Sequence, residues 1–258
     1  MICRARAVYG YTPPVVGARN AREREHFDKL ADTKGAVWWG SETTAGQVRL
    51  DERGAITIRH ADLRPGRVVL EPGAGNGEFT LRIAPSGATI VGVEISPKQV
   101  EIARRRLEAF PETSMEVGDI DNLEFPDKHF DAVVGQSVLH HLDVERSLPE
   151  LRRVLKPGGR FFFLEPNMLN PQIAVEKNIK PVGRWLQNSP DETAFFRWQI
   201  VRLLRRHRFR NVWARPFDFL HPGTPAFLIP AVHGMSRALS ATPGIREFAG
   251  SLQIYAEG

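Results

Sequence analysis

Three glycines at alternate positions constrain the fold of this sequence more than any other feature. Gly73, Gly75 and Gly77 lie in the stretch LEPGAGNGEFT, directly after the apolar residues Val68 and Val69. Because glycine has no Cβ atom, the chain can turn sharply at these positions and a ligand can approach the backbone closely. The pattern predicts a strand that turns tightly into a helix, whose unpaired N–H groups and positive end face a ligand.

Strands and helices alternate around this turn. The predicted strands cover residues 67–71, 89–94, 114–117, 130–135 and 160–165, and the predicted helices cover residues 77–83, 96–110 and about 148–155, the last closed by KPGG. Ser96 is the predicted N-cap of the second of these helices, with Pro97 at its first position. The strands are apolar throughout, so both faces of each strand should be covered. The predicted fold class is therefore α/β, with a Rossmann-like, mostly parallel, doubly wound sheet.

The chain before this region has a different character. Residues 1–18 show no periodicity and are predicted to form a loose arm. Residues 20–32 can form a helix with Asn20 as its N-cap, and a second helix is expected at about residues 51–61. These segments predict a helical cap in front of the sheet.

Acidic residues at three successive strand ends indicate the kind of ligand. Glu71 precedes the glycine turn, where a carboxylate would attract an ammonium group and repel a pyrophosphate. Glu94 ends the second strand 17 residues beyond Gly77, close to the roughly 20 residues expected of a carboxylate that binds ribose hydroxyls. Asp119 follows the third strand and could bind an adenine amino group, with Ile120 against the ring. Each residue also has a structural alternative, as a turn former or a solvated strand end.

The motifs that contain these residues resemble those of class I S-adenosylmethionine-dependent methyltransferases. They are VVLEPGAGNGEF, VGVEIS, GDIDNLEFPDKHFD, FDAVVGQSVLHHLD and LKPGGRFFFLEPN, in the order and spacing usual for that family. The resemblance covers roughly residues 65–167, and the paired histidines are similar to those of quinone-biosynthesis and small-molecule methyltransferases. It implies a seven-stranded sheet whose last strand, SLQIYAE, is antiparallel. It also implies S-adenosylmethionine as the cofactor.

The resemblance assigns cofactor contacts to the ends of the first four strands. Glu71 and the glycine turn would hold the methionine part, Glu94 the ribose, and Asp119 the adenine, while the residues after the fourth strand would line the sulfonium side. The predicted cofactor-binding residues are Glu71, Gly73, Ala74, Gly75, Gly77, Glu94, Ile95, Asp119, Ile120, Gln136 and Ser137. Pro72 and Asn76 depart from the family pattern without removing a glycine.

Three residues are candidates for catalysis. Methyl transfer requires an aligned acceptor and a site without water, and a base is needed only if the acceptor must lose a proton. His140 and His141 follow the fourth strand and could accept that proton near neutral pH. Glu165 is the third candidate, because related enzymes that methylate isoprenoid carbons use a carboxylate in this neighbourhood. The alternative for the histidines is packing and loop hydrogen bonding, and for Glu165 it is holding the following turn. No metal site is predicted.

The resemblance also suggests how the chain is divided. An N-terminal arm and helical cap should cover residues 1–62, and the methyltransferase domain should cover residues 63–258. Apolar, proline-rich insertions at about residues 166–190 and 220–250 should select the acceptor. Their aromatic residues favour a small, largely apolar or aromatic acceptor, such as a specialised metabolite, an isoprenoid or a lipid-like precursor.

Charge and composition leave three alternatives open. The net charge is +5, with arginine clusters at residues 104–106 and 202–210. Such clusters are usually exposed helix faces, but an RNA or protein methyltransferase is one alternative. A nicotinamide-dependent oxidoreductase is a second, disfavoured by Glu71, and a cofactor-binding protein without transferase activity is a third. We expect no nucleic acid partner, and the family's N-terminal arms leave a homodimer open.

Location is also predicted from absences in the sequence. The N-terminus lacks the apolar core of a signal peptide, and no apolar run approaches the roughly 18 residues that a membrane span needs. Cys3 is the only cysteine, which excludes an intrachain disulfide and a cysteine-based zinc site. The sequence therefore predicts a cytoplasmic protein without a membrane span.

Overall fold

The computed structural model describes residues 17–32, 42–186, 189 and 192–258. Nearly all of the arm predicted at residues 1–18 lies outside these residues. Among the helices that the structure describes, none has the length and apolar character needed to cross a lipid bilayer.

A seven-stranded sheet forms the centre of the protein. Its strands are β1 (Val68–Pro72), β2 (Thr89–Glu94), β3 (Thr113–Val117), β4 (Phe130–Gln136), β5 (Leu155–Pro166), β6 (Arg210–Phe217) and β7 (Ser251–Glu257), in the order β3-β2-β1-β4-β5-β7-β6. The pairs formed by β1 to β5 are parallel, whereas β7 is antiparallel to both β5 and β6. This topology confirms the predicted fold class, including the antiparallel last strand.

Helices cover both faces of the sheet. They are α1 (Ala18–Asp32), α2 (Thr44–Ala61), α3 (Thr80–Ile83), α4 (Pro97–Arg106), α5 (Val144–Val154), α6 (Pro171–Asn178), α7 (Lys180–Trp185), α8 (Arg197–Arg206) and α9 (Ile229–Ala241). The interior strand β5 shows the coverage directly: Phe161 and Phe163 pack in one buried apolar cluster, and Phe162 and Leu164 pack in another on the opposite face. The uninterrupted apolar strands are explained by this double coverage.

Several element boundaries differ from those predicted. Helix α1 begins at Ala18, so Asn20 is inside the helix and is not its N-cap. Helix α2 begins earlier than residue 51 because the Thr43 side chain accepts a hydrogen bond from the Gly46 N–H (2.9 Å) and caps the helix there. Helix α3 begins only at Thr80, since the left-handed backbone of Gly77 (φ +75°) cannot belong to a helix.

Strand β5 is longer than predicted. The KPGG stretch, expected to close the preceding helix, lies inside β5, which begins at Leu155. The predicted cap of helix α4 is confirmed, because the Ser96 hydroxyl accepts a hydrogen bond from the Gln99 N–H (3.2 Å) and Pro97 is the first helical residue. The division of the chain at residue 62 stays a prediction.

Candidate active site

The carboxyl ends of the parallel strands meet at one edge of the sheet. From β1, the order continues through β2 and β3 on one side and through β4 and β5 on the other, so a crevice is expected between β1 and β4 at this edge. Gly73 follows β1 and packs against Val138, the second residue after β4, so that a Cβ atom on Gly73 would collide with it. The glycine turn and the turn after β4 are therefore in contact.

The three glycines share a backbone conformation but not a packing environment. Gly73, Gly75 and Gly77 are all left-handed, with φ of +64°, +53° and +75°. A Cβ atom on Gly77 would lie 3.0 Å from the Cβ of Ala103 in α4, so this glycine permits close packing of the turn and the helix. At Gly75, by contrast, no described residue other than its chain neighbours has an atom within 4 Å of that position. The backbone at Gly75 is open to a ligand.

The carboxylate of Glu94 joins the glycine turn to the end of β2. It is 5 % exposed and accepts hydrogen bonds from the N–H of Gly75 (3.0 Å) and the N–H of Ser96 (2.9 Å). Burial raises the pKa of Glu94, and these backbone donors oppose the rise. Each oxygen keeps a further lone pair for a ligand hydroxyl. Of the neighbouring predicted contacts, Ala74 is buried and Ile95 half-buried.

Buried side-chain oxygens without a hydrogen-bond partner among the described residues include Oε2 of Glu71, in β1, and Oε1 of Gln136, at the end of β4. Burial raises the pKa of Glu71 to about 8, although the Thr80 hydroxyl lowers it in part. Unpartnered buried acceptors beside an open glycine backbone suit a cationic nucleoside. The residues present therefore fit S-adenosylmethionine.

The raised pKa of Glu71 predicts that cofactor binding depends on pH. Below pH 8 the free carboxyl group is protonated, and it must lose its proton before it can pair with the cofactor's ammonium group. We expect the affinity for S-adenosylmethionine to rise about ninefold from pH 6 to pH 7 and about fivefold from pH 7 to pH 8, in step with the ionised fraction of Glu71. Calorimetry in this range measures the slope. The variant Glu71→Gln should bind weakly with no slope, and an equal slope in both proteins would contradict this prediction.

The carboxylate of Asp119 is held by a residue from the N-terminal helix. Asn20 Nδ2 lies 2.9 Å from each oxygen of Asp119 and 3.1 Å from Oδ2 of Asp121, and the Asp121 N–H donates to Asp119 Oδ1 (2.9 Å). Both Asp119 and Ile120 are 8 % exposed. The sequence did not indicate this role for Asn20, because nothing local connects α1 with a residue 99 positions away.

The turn after β4 has an unusual backbone. Ser137 is exposed and left-handed (φ +54°), a conformation that is rare for residues with a side chain and that is found preferentially at functional sites. Its N–H donates to the carbonyl of Leu164 in β5 (2.8 Å), which fixes the turn on the sheet edge. The turn therefore presents Ser137 at the carboxyl edge of the sheet, next to Gln136.

His140 is enclosed by two carboxylates. It lies in a one-turn 3-10 helix (Leu139–His141), with Nδ1 2.6 Å from Glu165 Oε2 and Nε2 3.4 Å from Glu192 Oε1. Burial disfavours the charged imidazole, but the two carboxylates outweigh this effect and raise the pKa of His140 to about 9. Glu165 Oε1 also accepts the N–H groups of Val138 and Leu139 (3.0 and 2.9 Å). Glu165 thus holds the turn as well as the ring.

His141 has the opposite electrostatic character. Burial and the positive charge of His140 lower the pKa of His141. Its Nδ1 lies 3.2 Å from Oε2 of Glu23 in α1 and 3.3 Å from the Ser189 hydroxyl. A neutral ring that donates through Nδ1 carries its lone pair on Nε2. Of the two histidines, His141 is therefore the one able to accept a proton at neutral pH.

Ligand atoms of His140, His141 and Glu192 lie within 4.8 Å of one another, a spacing compatible with a metal ion. However, the ammonium group of Lys177 already contacts Glu192 and supplies a positive charge at this carboxylate.

The sequence did not indicate Glu23, Lys177 or Glu192 as site residues, because they lie in the predicted cap and insertion and reach the histidines only through the fold. The prediction of no metal site and the assigned role of each site residue stay predictions.

Comparison with known proteins identifies relatives of this chain. Residues 70–163 match the family model described as a methyltransferase domain. A demethylmenaquinone methyltransferase of Symbiobacterium thermophilum is 37 % identical over 164 residues, which are 60 % of this chain and 63 % of that protein. The matched region therefore spans less than two thirds of this relative.

Solved structures share the fold at lower sequence identity. A Haloferax volcanii putative methyltransferase, solved with the activator Trm112, has a TM-score of 0.66 at 22 % identity, covering 90 % of this chain and 96 % of its own. A second structure is a geranyl diphosphate C-methyltransferase from Streptomyces coelicolor A3(2), solved with Mg²⁺, geranyl diphosphate and S-adenosyl-L-homocysteine. It has a TM-score of 0.56 at 17 % identity, and the match covers 80 % of this chain and 78 % of that chain. These likenesses concern the fold alone.

Proposed function

We propose that this chain transfers a methyl group from S-adenosylmethionine to a small, largely apolar or aromatic acceptor, since residues 70–163 match a methyltransferase domain. The observation that carries the proposal is the arrangement at the carboxyl edge of the sheet. There the buried carboxylates of Glu71, Glu94 and Asp119 end three neighbouring strands beside the open backbone of Gly75.

Each carboxylate has a distinct part of the cofactor to bind. Glu71 faces the ammonium group of the methionine part, because its unpartnered oxygen needs a cationic donor. Glu94 accepts the ribose hydroxyls while it holds the N–H of Gly75. Asp119 accepts the adenine amino group. When bound, the cofactor supplies a sulfonium-activated methyl group. The protein has to orient the acceptor and exclude water from it.

Proton transfer, where the acceptor requires it, is assigned to His141. His140 keeps its own proton at neutral pH because Glu165 and Glu192 stabilise the imidazolium. His141 is neutral under the same conditions, and its ring is oriented by Glu23. Glu165 is a positioning residue in this scheme, since both of its oxygens are already engaged by the turn after β4.

An isoprenoid-bearing acceptor is the class best supported. One relative is named a demethylmenaquinone methyltransferase, and one structural neighbour was solved with geranyl diphosphate. The chain after the first insertion passes the paired histidines, because the Thr193 N–H donates to the carbonyl of His140 (3.1 Å). Phe195, two residues further, is buried, and Phe196 stacks on Trp198 with ring centroids 4.8 Å apart. Apolar side chains therefore adjoin the site.

The position of the arginine-rich stretch 202–210 argues against an RNA acceptor. This stretch ends helix α8 and leads into the amino end of β6, at the sheet edge opposite the carboxylates. Arg206 and His207 in it also pair with Glu145. The matched family does not support a nicotinamide-dependent reaction. A cytoplasmic location and a homodimer stay predictions.

Two measurements test this proposal. Calorimetry with S-adenosylmethionine and S-adenosylhomocysteine should show binding of both, and NAD should not bind. Radiolabelled cofactor is then incubated separately with a demethylated isoprenoid quinone, geranyl diphosphate and bulk RNA, and we expect label only in the isoprenoid-containing reactions. Absence of cofactor binding would overturn the reaction class, whereas label in RNA alone would overturn the acceptor class.

A further inference from the structure

The described side chains of helix α1 contact the sheet domain mainly through polar groups. None of its described residues belongs to the buried apolar clusters of the protein. Among these described residues, Phe27 makes an aromatic contact with the site, its ring centroid lying 5.3 Å from that of His141. Polar groups that leave a protein surface are solvated again by water, so such a helix separates from its site more readily than one anchored in an apolar core.

Three of the α1 residues that contact the sheet domain form one row on the helix and reach both sides of the site. Asn20, Glu23 and Phe27 are spaced three and four residues apart, which places them in one row. Asn20 reaches the predicted adenine-binding carboxylate, and the Phe27 carbonyl accepts a hydrogen bond from Gln99 (3.2 Å) in α4. Glu25 and Lys29 form an exposed pair and lie outside this row.

Asn20, together with the Asp121 N–H, holds the carboxylate of Asp119 in place. Its Nδ2 is the donor placed between the carboxylates of Asp119 and Asp121, which would otherwise repel each other at close range. A fixed Asp119 is ready to accept the adenine amino group, whereas a free one would first have to be ordered. The position of α1 therefore affects whether Asp119 is held ready to bind the adenine amino group.

Glu23 connects the same helix to the acceptor side. It is 5 % exposed, and its two oxygens lie 2.7 Å from the Ser189 hydroxyl and 3.2 Å from Nδ1 of His141. The Ser189 N–H donates a hydrogen bond to the carboxylate of Glu192 (3.1 Å). The same carboxylate faces His140. One helix thus contacts a cofactor residue and the pair of histidines at the same time.

We propose that α1 closes over the bound cofactor, and that Asn20 and Glu23 are positioning residues through which closure organises the two halves of the site. Asn20 fixes Asp119 for the adenine, and Glu23 fixes His141 on the methyl-acceptor side. Cofactor binding and helix docking then stabilise each other. This inference rests on the proposed function, because it requires the cofactor to be S-adenosylmethionine.

The test measures binding of S-adenosylhomocysteine and hydrogen exchange of α1 in the full chain. Asn20→Ala should weaken binding by about tenfold, as expected for the loss of a hydrogen bond to a charged group. Asn20→Asp should weaken it further, because it adds a third carboxylate beside Asp119 and Asp121. Glu25→Gln, on the exposed face, is the matched control and should bind like the wild type.

Hydrogen exchange separates closure from a static structural role. In the wild type, amides of residues 18–32 should become more protected when S-adenosylhomocysteine is added. Glu23→Gln and Asn20→Ala should lose most of this gain, and Glu25→Gln should keep it. If α1 is equally protected with and without ligand, or if both Asn20 variants bind like the wild type, the inference is wrong. Failure of the wild type to bind would instead reject the proposed function, and this inference with it.

Discussion

Replacing Gly75 with alanine should weaken binding of S-adenosylmethionine by about a hundredfold and leave the fold intact. The added methyl group would project into the space beside the glycine turn, where no described residue other than its chain neighbours lies within 4 Å. Overpacking of a close-fitting site costs about 1–3 kcal/mol, and a hundredfold loss corresponds to about 2.8 kcal/mol. Calorimetry with S-adenosylhomocysteine measures the loss.

Gly66→Ala provides the matched control for this variant. Gly66 is also left-handed (φ +85°) with open space at its Cβ position, but it precedes β1 and lies at the opposite edge of the sheet. Both substitutions should cost about 1–2 kcal/mol of stability, the usual penalty for a side chain in this conformation. Only Gly75→Ala should lose affinity. Equal affinity in the two variants would mean that no ligand approaches Gly75.

Gly73 and Gly77 are unsuitable for the same experiment. A side chain on Gly73 would collide with Val138, and one on Gly77 would crowd Ala103 and Leu107 of the α4 region. Loss of binding in those variants would follow from a displaced turn as readily as from a blocked ligand. Among the three glycines of the turn, Gly75 is therefore the one whose substitution separates binding from folding.

The centre of the fold could be predicted because its signals are local. An apolar run such as residues 89–94 is too short for a core helix and lacks polar alternation, so it indicates a strand covered on both faces, and the structure has β2 at these residues. Ser96 before Pro97 is likewise a local capping signal, which the structure confirms. Such patterns depend on neighbouring residues alone.

The contacts that organise the site are not local, and the sequence did not reveal them. Asparagine is a residue type favoured at N-caps, yet the side chain of Asn20 binds Asp119, 99 residues away. Glu23 is one of several charged residues in a polar helix, and only the folded chain brings it to Ser189, 166 residues further on. Burial decides which charged residues matter here, and burial of a polar helix face has no signature in hydrophobic periodicity.

Replacing Glu165 with glutamine should lower the free energy of unfolding by about 3 kcal/mol. Removing one partner of a buried ion pair costs about 3–5 kcal/mol. The loss should fall at the lower end, because Glu192 remains as a second carboxylate near His140 and the glutamine oxygen can still accept the N–H groups of Val138 and Leu139. Urea denaturation at pH 7 measures the change.

Glu145→Gln makes the same chemical change in an exposed carboxylate–histidine pair. Glu145 Oε2 lies 3.1 Å from Nε2 of His207, but its side chain is 56 % exposed, so the loss should be within about 1 kcal/mol. A difference between the two variants would show that the buried pair stabilises the turn after β4, which is what a positioning role for Glu165 requires. If Glu165→Gln were as stable as Glu145→Gln and still lost methyl transfer, Glu165 would instead act directly on the acceptor, and the assignment of proton transfer to His141 would have to be abandoned.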